Sequence, residues 1–443
     1  MEQSANQGQK PVTTEINTVG NIQIGGCDLV ELAEKYSTPL YVLDEKTIRT
    51  ICSDYKKAFA NYPKTRIMFA SKALCTSALS ALLISEDLGF DTVSGGEIFT
   101  VYKSGADMNK VLFNGSNKSF DELNLALDLG VGRISVDNFY ELALLNTIAQ
   151  SKNKIVDILL RITPGIECHT HQYIQTGHLD SKFGFDLTQI DEAVDLILNE
   201  YTNLKLHGLH AHIGSQIFET SIYSDEIDIL CAELARLDEK FGLKLDEINL
   251  GGGAGVKYTQ EDVPPSIYEI GDIIANKLNE AVKKYNIEPP TIFLEPGRSI
   301  ISMAGVTLYT IGSSKQVPNG KKYVSIDGGM ADNPRPSLYQ AKYFAQVANK
   351  KEEAETEKVT IGGRYCESGD ILIEEIELPK LDEGDILCVY NTGAYNYSMS
   401  SNYNRVEKPA MVLVNDGNSD LIVKRETLED LLRNDIIPDR LKK

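Results

Sequence analysis

Four short motifs combine the residue types needed for chemistry on an amine. Lys72 ends the apolar run RIMFAS within FASKALCT. A lysine carried by a strand end into an enclosed site loses hydration. Its pKa falls, and the neutral amine becomes a nucleophile able to condense with an aldehyde. The same position also suits a lysine that snorkels to the surface. GLHAHIGSQ sets His210 and His212 on one side of a strand by the period of two, with His212 at its end. A hydrogen-bonded core histidine, a ring stacked on a flat ligand and a metal pair are the three readings, the last weakened by the lack of a Cys or carboxylate at ligand spacing.

The other two motifs offer charge and backbone. NLGGGAG places Gly251, Gly252 and Gly253 at a strand end, where a side-chain-free backbone can approach a ligand and its N–H groups can cradle a phosphate. It has neither the GK[ST] ending of a P-loop nor the GxGxxG spacing of a dinucleotide site, which disfavours a nicotinamide enzyme. LEPGRS puts Glu295 at a strand end, followed by Pro296, Gly297 and Arg298. A carboxylate there needs a cation, either Arg298 or a protonated ring nitrogen. An amine, a ring to stack, phosphate-binding glycines and a carboxylate for a pyridinium together meet the requirements of pyridoxal 5'-phosphate, whose protonated ring is an electron sink.

The elements that must position these residues follow a strand–helix rhythm. Apolar β-type runs recur as RIMFAS, GFDTVS, KVLFNG, GRISVD, IVDILLRI, LHGLHAHI, EINLGGG and TIFLEP, with amphipathic segments such as QIDEAVDLILNEY between them. Eight such repeats in about 250 residues predict a (β/α)8 TIM-type barrel. A polar or glycine residue sits just beyond each run: Lys72, Ser94, Asn114, Asp137, Arg161, His212, Gly251 and Glu295. In a parallel barrel all eight open onto the C-terminal mouth, where active sites of this fold are built. Asn114 and Asp137 also suit turn or N-cap positions.

From Val306 the runs VTLYTIG, KYVSIDGG, KVTIGGRYC, ILIEEIELP, DILCVYN, AMVLVND and DLIVKR follow one another without long helices, which predicts a C-terminal all-β domain. The early PLYVLD stretch is expected to join it as an N-terminal strand. The division is 1–45 for tail and strand, 46–305 for the barrel and 306–443 for the β-domain. The charged run KKEEAETEK reads as a solvated loop.

With 443 residues, 44 Lys+Arg against 64 Asp+Glu and a net charge of -20, the chain is disfavoured as a nucleic-acid or anionic-membrane binder. An anionic ligand then requires a local cationic cluster. Seven cysteines without a CxxC pair, and an N-terminus without a basic segment leading into an apolar one, point to the cytoplasm and to no zinc site.

The chain resembles the barrel-fold (fold type III) pyridoxal-phosphate decarboxylases, over nearly its whole length. FASKAL, RITPGIECHTHQYIQTG with SKFG, HAHIGSQ, NLGGGAG and LEPGRS stand in that family's order, and NPRPSLYQA, CESGD and GAYNYSMSSNYN resemble its substrate and subunit-interface segments. The resemblance implies a covalent link to the cofactor at Lys72, His212 against the ring face, Glu295 on the ring nitrogen and Arg161 near the phenolic oxygen. It implies phosphate binding by Ser215, the Gly251, Gly252 and Gly253 backbone, the start of the Gly297 helix with Pro296 and Arg298, and Tyr395. Substrate groups would be read by Arg298, Arg335, Tyr339, Glu367 and Tyr395. Cys366 resembles a proton donor supplied by the partner subunit, which implies a homodimer with shared sites.

Within the family the resemblance implies decarboxylation of meso-2,6-diaminopimelate to L-lysine. Paired arginines and Glu367 suit a substrate with two amino-acid heads. Decarboxylases of carboxynorspermidine, ornithine or arginine, an amino-acid racemase and a non-catalytic cofactor-binding homologue are the rivals. Leu74 and Lys342 depart from the family pattern, which puts local geometry near the cofactor and substrate in question.

Overall fold

The computed structural model describes residues 3–165, 182–350 and 356–442. Two compact units make up the chain. The first comprises Met1–Gly8, Ile48–Lys257 and Glu261–Ile301, and the second Gln9–Thr47, Tyr258–Gln260 and Ser302–Lys443.

The first unit is a closed parallel barrel. Its strands are β1 (Thr65–Ala70), β2 (Gly89–Thr92), β3 (Val111–Phe113), β4 (Arg133–Val136), β5 (Val156–Thr163), β6 (Leu204–His210), β7 (Glu247–Asn249) and β8 (Thr291–Leu294). Each pairs with the next, and β8 returns to β1. Met68, Leu112, Leu159 and Phe293 form one buried cluster inside. Side chains alternate along a strand, so the residue two places beyond an inward one also faces inward. Asn114, Arg161 and Glu295 stand two beyond Leu112, Leu159 and Phe293, and Lys72 stands four beyond Met68. The core layer thus dictates which residues enter the mouth.

Helices start directly after the mouth loops because the loops carry their caps. Ser94 and Asn138 accept the N–H groups of Glu97 and Glu141 at 3.2 and 3.0 Å, and Ser119 forms a reciprocal capping box with Glu122. Of the eight mouth positions, Ser94 is therefore a helix cap. Asp137 is not one, because Asn138 caps that helix; it accepts the Gly184 N–H at 3.1 Å instead.

Beside β3 and β4 a charge pair is enclosed. Lys118 Nζ donates to Glu141 Oε1 at 2.7 Å and to the carbonyls of Gly115 and Ser135 at 2.8 and 2.7 Å, with both side chains almost inaccessible. Removing one partner of such a pair leaves the other charge buried and alone. Lys118→Met is expected to lower unfolding free energy by about 3–5 kcal/mol, read as a fall in the urea midpoint at unchanged m value.

The second unit is built on a large sheet in the order Ile371–Pro379, Thr356–Gly362, Lys322–Ile326, Gly305–Gln316, Leu40–Asp44, Ala410–Asn415 and Asn418–Val423. The early strand Leu40–Asp44 lies antiparallel to Gly305–Gln316 and parallel to Ala410–Asn415, so the PLYVLD stretch does enter this sheet. Ile22, Ile24, Leu29, Leu40, Val42, Val306, Leu308, Cys388 and Val412 share its core. The segment before Leu40, read in sequence as a polar tail, carries three short strands, Glu15–Ile16, Ile22–Ile24 and Cys27–Asp28, and the helix Leu29–Tyr36. Strands this short, without a repeating strand–helix context, give the sequence little to read. The charged run is corrected in part: Thr356–Lys358 already belongs to a strand paired with Glu377–Pro379, while 351–355 lie outside the described residues. Among the described residues no helix is long and apolar enough to cross a membrane.

Candidate active site

The barrel mouth is organised around two buried carboxylates. Lys72 lies in a single helical turn, Ser71–Ala73, immediately after β1, with Nζ 4.0 Å from Asp91 Oδ2 on β2. Glu295 follows β8 and is 5% exposed. Its Oε1 accepts from Asn114 Nδ2 at 2.9 Å and Asn249 Nδ2 at 2.7 Å, and its Oε2 lies 3.6 Å from His210 Nε2. Asn114 Nδ2 also donates to Asp91 Oδ1 at 2.5 Å. Burial pushes the Asp91 carboxyl up to about 7, the neighbouring Glu295 carboxylate adds to that rise, and Lys72 opposes it. A set of neutral amide donors thus holds an acidic centre that has Lys72 beside it.

Burial keeps both mouth histidines neutral. Burial holds both His210 and His212 well below the usual imidazole range, and the cations Lys72 and Arg161 act in the same direction. His210 Nδ1 shares a 2.7 Å hydrogen bond with Ser135 Oγ. His212 Nδ1 accepts the Gly252 N–H at 3.3 Å, which leaves the ring proton on Nε2 and fixes the ring's orientation. His210 is thus a core histidine against Glu295, while half-buried His212 presents an uncharged ring at the strand end.

The glycines are required by close packing as much as by any ligand. Gly251 has φ +59°, and a Cβ there would meet His212 Nδ1 at 2.6 Å; a Cβ at Gly252 would meet the Glu295 carbonyl oxygen at 2.2 Å. The Gly251 N–H donates to Asn249 Oδ1 at 2.8 Å, and that of Gly252 is taken by His212. Gly253 N–H makes no hydrogen bond among the described residues, so of the three it is the donor available to a phosphate. Nearby, Ser215 Oγ accepts from Arg298 Nε and Nη2 at 3.2 and 3.0 Å. The Pro296 carbonyl accepts the Ala70 N–H at 3.1 Å, which ties the Pro296–Gly297 turn to the end of β1. Arg161, at 8% exposure, stacks 4.4 Å over Phe183 with Nη1 4.0 Å from Asp137.

The donor set fits pyridoxal 5'-phosphate. Asp91 Oδ2 and His210 Nε2 are buried without hydrogen-bond partners. An acidic centre of this kind accommodates a protonated ring nitrogen, which a neutral ligand would not supply. Asp91 and Asn249 escaped notice in the sequence. The available signal was an acid inside the apolar run GFDTVS and an amide inside EINLGGG, both at strand positions where a surface residue has no place. Leu74 is fully buried and Lys342 exposed. Residues 166–181, which include Cys168, most of the segment RITPGIECHTHQYIQTG and the first residue of SKFG, lie outside the described residues.

The remaining predicted residues belong to the second unit. Arg335 starts the helix Arg335–Tyr339 behind Pro334. It is buried, donates to the Tyr343 hydroxyl at 2.7 Å and stacks 5.0 Å from the Tyr258 ring. Tyr339 is half-buried at the helix end. Tyr395 is half-buried too, with φ +66°. Cys366 and Glu367 are exposed on a loop that is nonetheless anchored. The Cys366 N–H donates to Asn404 Oδ1 at 2.8 Å, and Asp370 accepts the N–H groups of Tyr365 and Met330 at 2.8 and 2.7 Å. Asp332, whose carboxyl burial pushes up to about 7, accepts the hydroxyls of Tyr309 and Tyr365 at 2.5 and 3.3 Å.

Comparison with known proteins agrees with this chemistry. Residues 45–302 match the model of the pyridoxal-dependent decarboxylase, pyridoxal binding domain. A diaminopimelate decarboxylase of Synechocystis sp. is 47% identical over 99% of this chain and 95% of its own length. That of Bacillus subtilis is 46% identical over 96% and 97%. The crystal structure of diaminopimelate decarboxylase from M. jannaschii in co-complex with L-lysine superposes with a TM-score of 0.92 at 34% identity, covering 98% of this chain and 99% of that one. The chain therefore belongs to the pyridoxal-dependent decarboxylases and, within them, to the diaminopimelate decarboxylase family.

Proposed function

We propose that the chain decarboxylates meso-2,6-diaminopimelate to L-lysine and carbon dioxide, the last step of lysine biosynthesis. The observation that carries this reading is the placing of Lys72 beside the Asp91 carboxylate, which itself neighbours Glu295, in a chain 47% identical to a diaminopimelate decarboxylase over nearly its full length. Pyridoxal 5'-phosphate, when bound, supplies an electron sink for the pair released as the carboxylate leaves as CO2.

The chain's own residues bind and orient. Lys72 holds the cofactor covalently. Glu295, kept in place by Asn114 and Asn249, retains the proton on the ring nitrogen. His212 offers its neutral face to the ring, and Arg161 meets the phenolic oxygen. Ser215, Gly253 N–H with the adjoining Gly251 and Gly252 backbone, the Pro296–Gly297 turn and Tyr395 take the phosphate. Arg298, Arg335, Tyr339, Glu367 and Tyr395 read the substrate's carboxylates and amines, and Cys366 returns a proton to the carbon in the partner subunit's site. The roles of the second unit's residues rest on the family resemblance. So does the homodimer. The six described cysteines are thiols, which agrees with a cytoplasmic location.

Ornithine and arginine lack the distal carboxylate that a buried arginine such as Arg335 is suited to bind. The purified protein supplied with pyridoxal 5'-phosphate and meso-diaminopimelate is expected to release lysine and CO2 in equal amounts. Turnover of ornithine, arginine or carboxynorspermidine without lysine formation overturns the substrate assignment.

A further inference from the structure

The barrel has a second opening that the proposed reaction does not use. At the N-terminal ends of the strands, on the face opposite Lys72 and Glu295, lies a cavity of about 570 Å³, lined from the start of β1, the start of β2, the approach to β3 and Phe293 of β8. Small-molecule sites span about 300–1,000 Å³. Met68 and Phe293 line it and also belong to the core layer with Leu112 and Leu159. That layer closes the barrel between this cavity and the mouth.

Its floor is apolar and its charges are almost fully accounted for. Phe59, Tyr62, Met68 and Phe293 are buried residues of the lining. Lys56 pairs with Glu86 at 2.7 Å and Lys110 with Asp87 at 2.6 Å. Asp107 accepts the Asn109 backbone and side-chain N–H groups, each at 3.1 Å. Arg66 is the exception. It is exposed, lies with its guanidinium carbon 5.4 Å from the centre of the Phe293 ring, and has no carboxylate partner among the described residues. A guanidinium with five donors, set over an aromatic ring, presents a fork for a carboxylate next to an apolar surface.

We propose that this cavity is a second ligand site, taking a small carboxylic acid with an apolar or aromatic body. The carboxylate meets Arg66, and the body lies against the accessible apolar lining of Ala60, Pro63 and Ile67, above the buried Met68 and Phe293. A neutral apolar molecule would leave the arginine unmatched, and a dianion would face Asp87 and Asp107. One charge on an apolar body satisfies both constraints.

The test uses the cofactor-loaded enzyme and calorimetric titration with 3-phenylpropionate, 3-phenylpropan-1-ol and propionate. The expected result is saturable binding of 3-phenylpropionate, weaker by roughly tenfold or more for the alcohol and for propionate. Arg66→Gln is expected to weaken it by a similar factor, and Ala60→Phe, at an exposed position of the lining, to abolish it by filling the space. Both variants should keep wild-type turnover of meso-diaminopimelate, since neither residue touches the mouth. Absence of saturable binding, equal affinity for the alcohol, or binding that survives either substitution overturns the proposal. The last outcome would assign the probe to the barrel mouth, or show Arg66 to be only a cover over Phe293.

Discussion

Lys72→Ala is expected to fold normally, to bind pyridoxal 5'-phosphate without a covalent link, and to lose turnover by on the order of 10⁴-fold or more. The fold should survive because the Lys72 side chain is 39% exposed and its short helical turn is held by backbone, so truncation leaves no buried donor unpaired. Its ammonium is, with the Arg161 guanidinium, one of the two cations that oppose the upward push on Asp91, and the larger in effect. Without it the Asp91 carboxyl rises further and stays protonated, and an unpaired charge is avoided. What is lost is the nucleophile, which no neighbouring residue replaces. Lys118, a second lysine near the mouth, is committed to Glu141 and two carbonyls. Borohydride treatment followed by peptide mass analysis should tag Lys72 in the wild type and nothing in the variant. Lys72→Arg separates the two roles, since it restores a cation beside Asp91 without restoring the amine. Tagging of another lysine, or residual activity above a few per cent, would remove Lys72 from its assigned role.

Much of this site is legible in the sequence because one physical rule governs both core and mouth. Inward residues alternate, so Leu112, Leu159 and Phe293 predict that Asn114, Arg161 and Glu295 face the interior two places on. Where strands are three or more residues long and end in a polar residue, the reading transfers directly to the structure. It stops where the determining partner is remote. Asp91 matters through Asn114, 23 residues away, which itself reaches Glu295, 181 residues further along the chain, and no local pattern encodes such a meeting. The glycine loop shows a different limit. Its composition suggested backbone donors for phosphate, yet the N–H groups of Gly251 and Gly252 serve Asn249 and His212, so part of the signal records packing. The segment before Leu40 was missed because its strands of two or three residues, held by pairing with one another and by docking Ile22, Ile24 and Cys27 onto the sheet core, stand outside the strand–helix rhythm that marks the barrel.

Cys366 supports the second large effect, and its position makes the test sharp. On a single chain it is exposed, the ordinary state of a surface thiol, yet its loop is anchored through Asn404, Tyr365 and Asp370. An exposed but fixed thiol is what a proton donor to another subunit requires. Cys366→Ala is expected to lower kcat by about 10²–10³-fold, the range of general acid catalysis, with KM little changed. If the chain forms the proposed homodimer, mixing equal amounts of the Lys72→Ala and Cys366→Ala proteins, each nearly inactive, then distinguishes the arrangements. After exchange half the dimers are hybrids, and if the cysteine acts across the dimer, one of the two sites in each hybrid has an intact lysine and an intact cysteine. About a quarter of all sites recover, so activity should rise to about a quarter of the wild-type value. If both residues serve the same subunit, each hybrid site lacks one of them and nothing is regained. Subunit exchange is verified independently by native mass analysis of the mixture. Exchange without recovery therefore assigns Cys366 to its own subunit, and a fully active Cys366→Ala enzyme leaves the final proton to water.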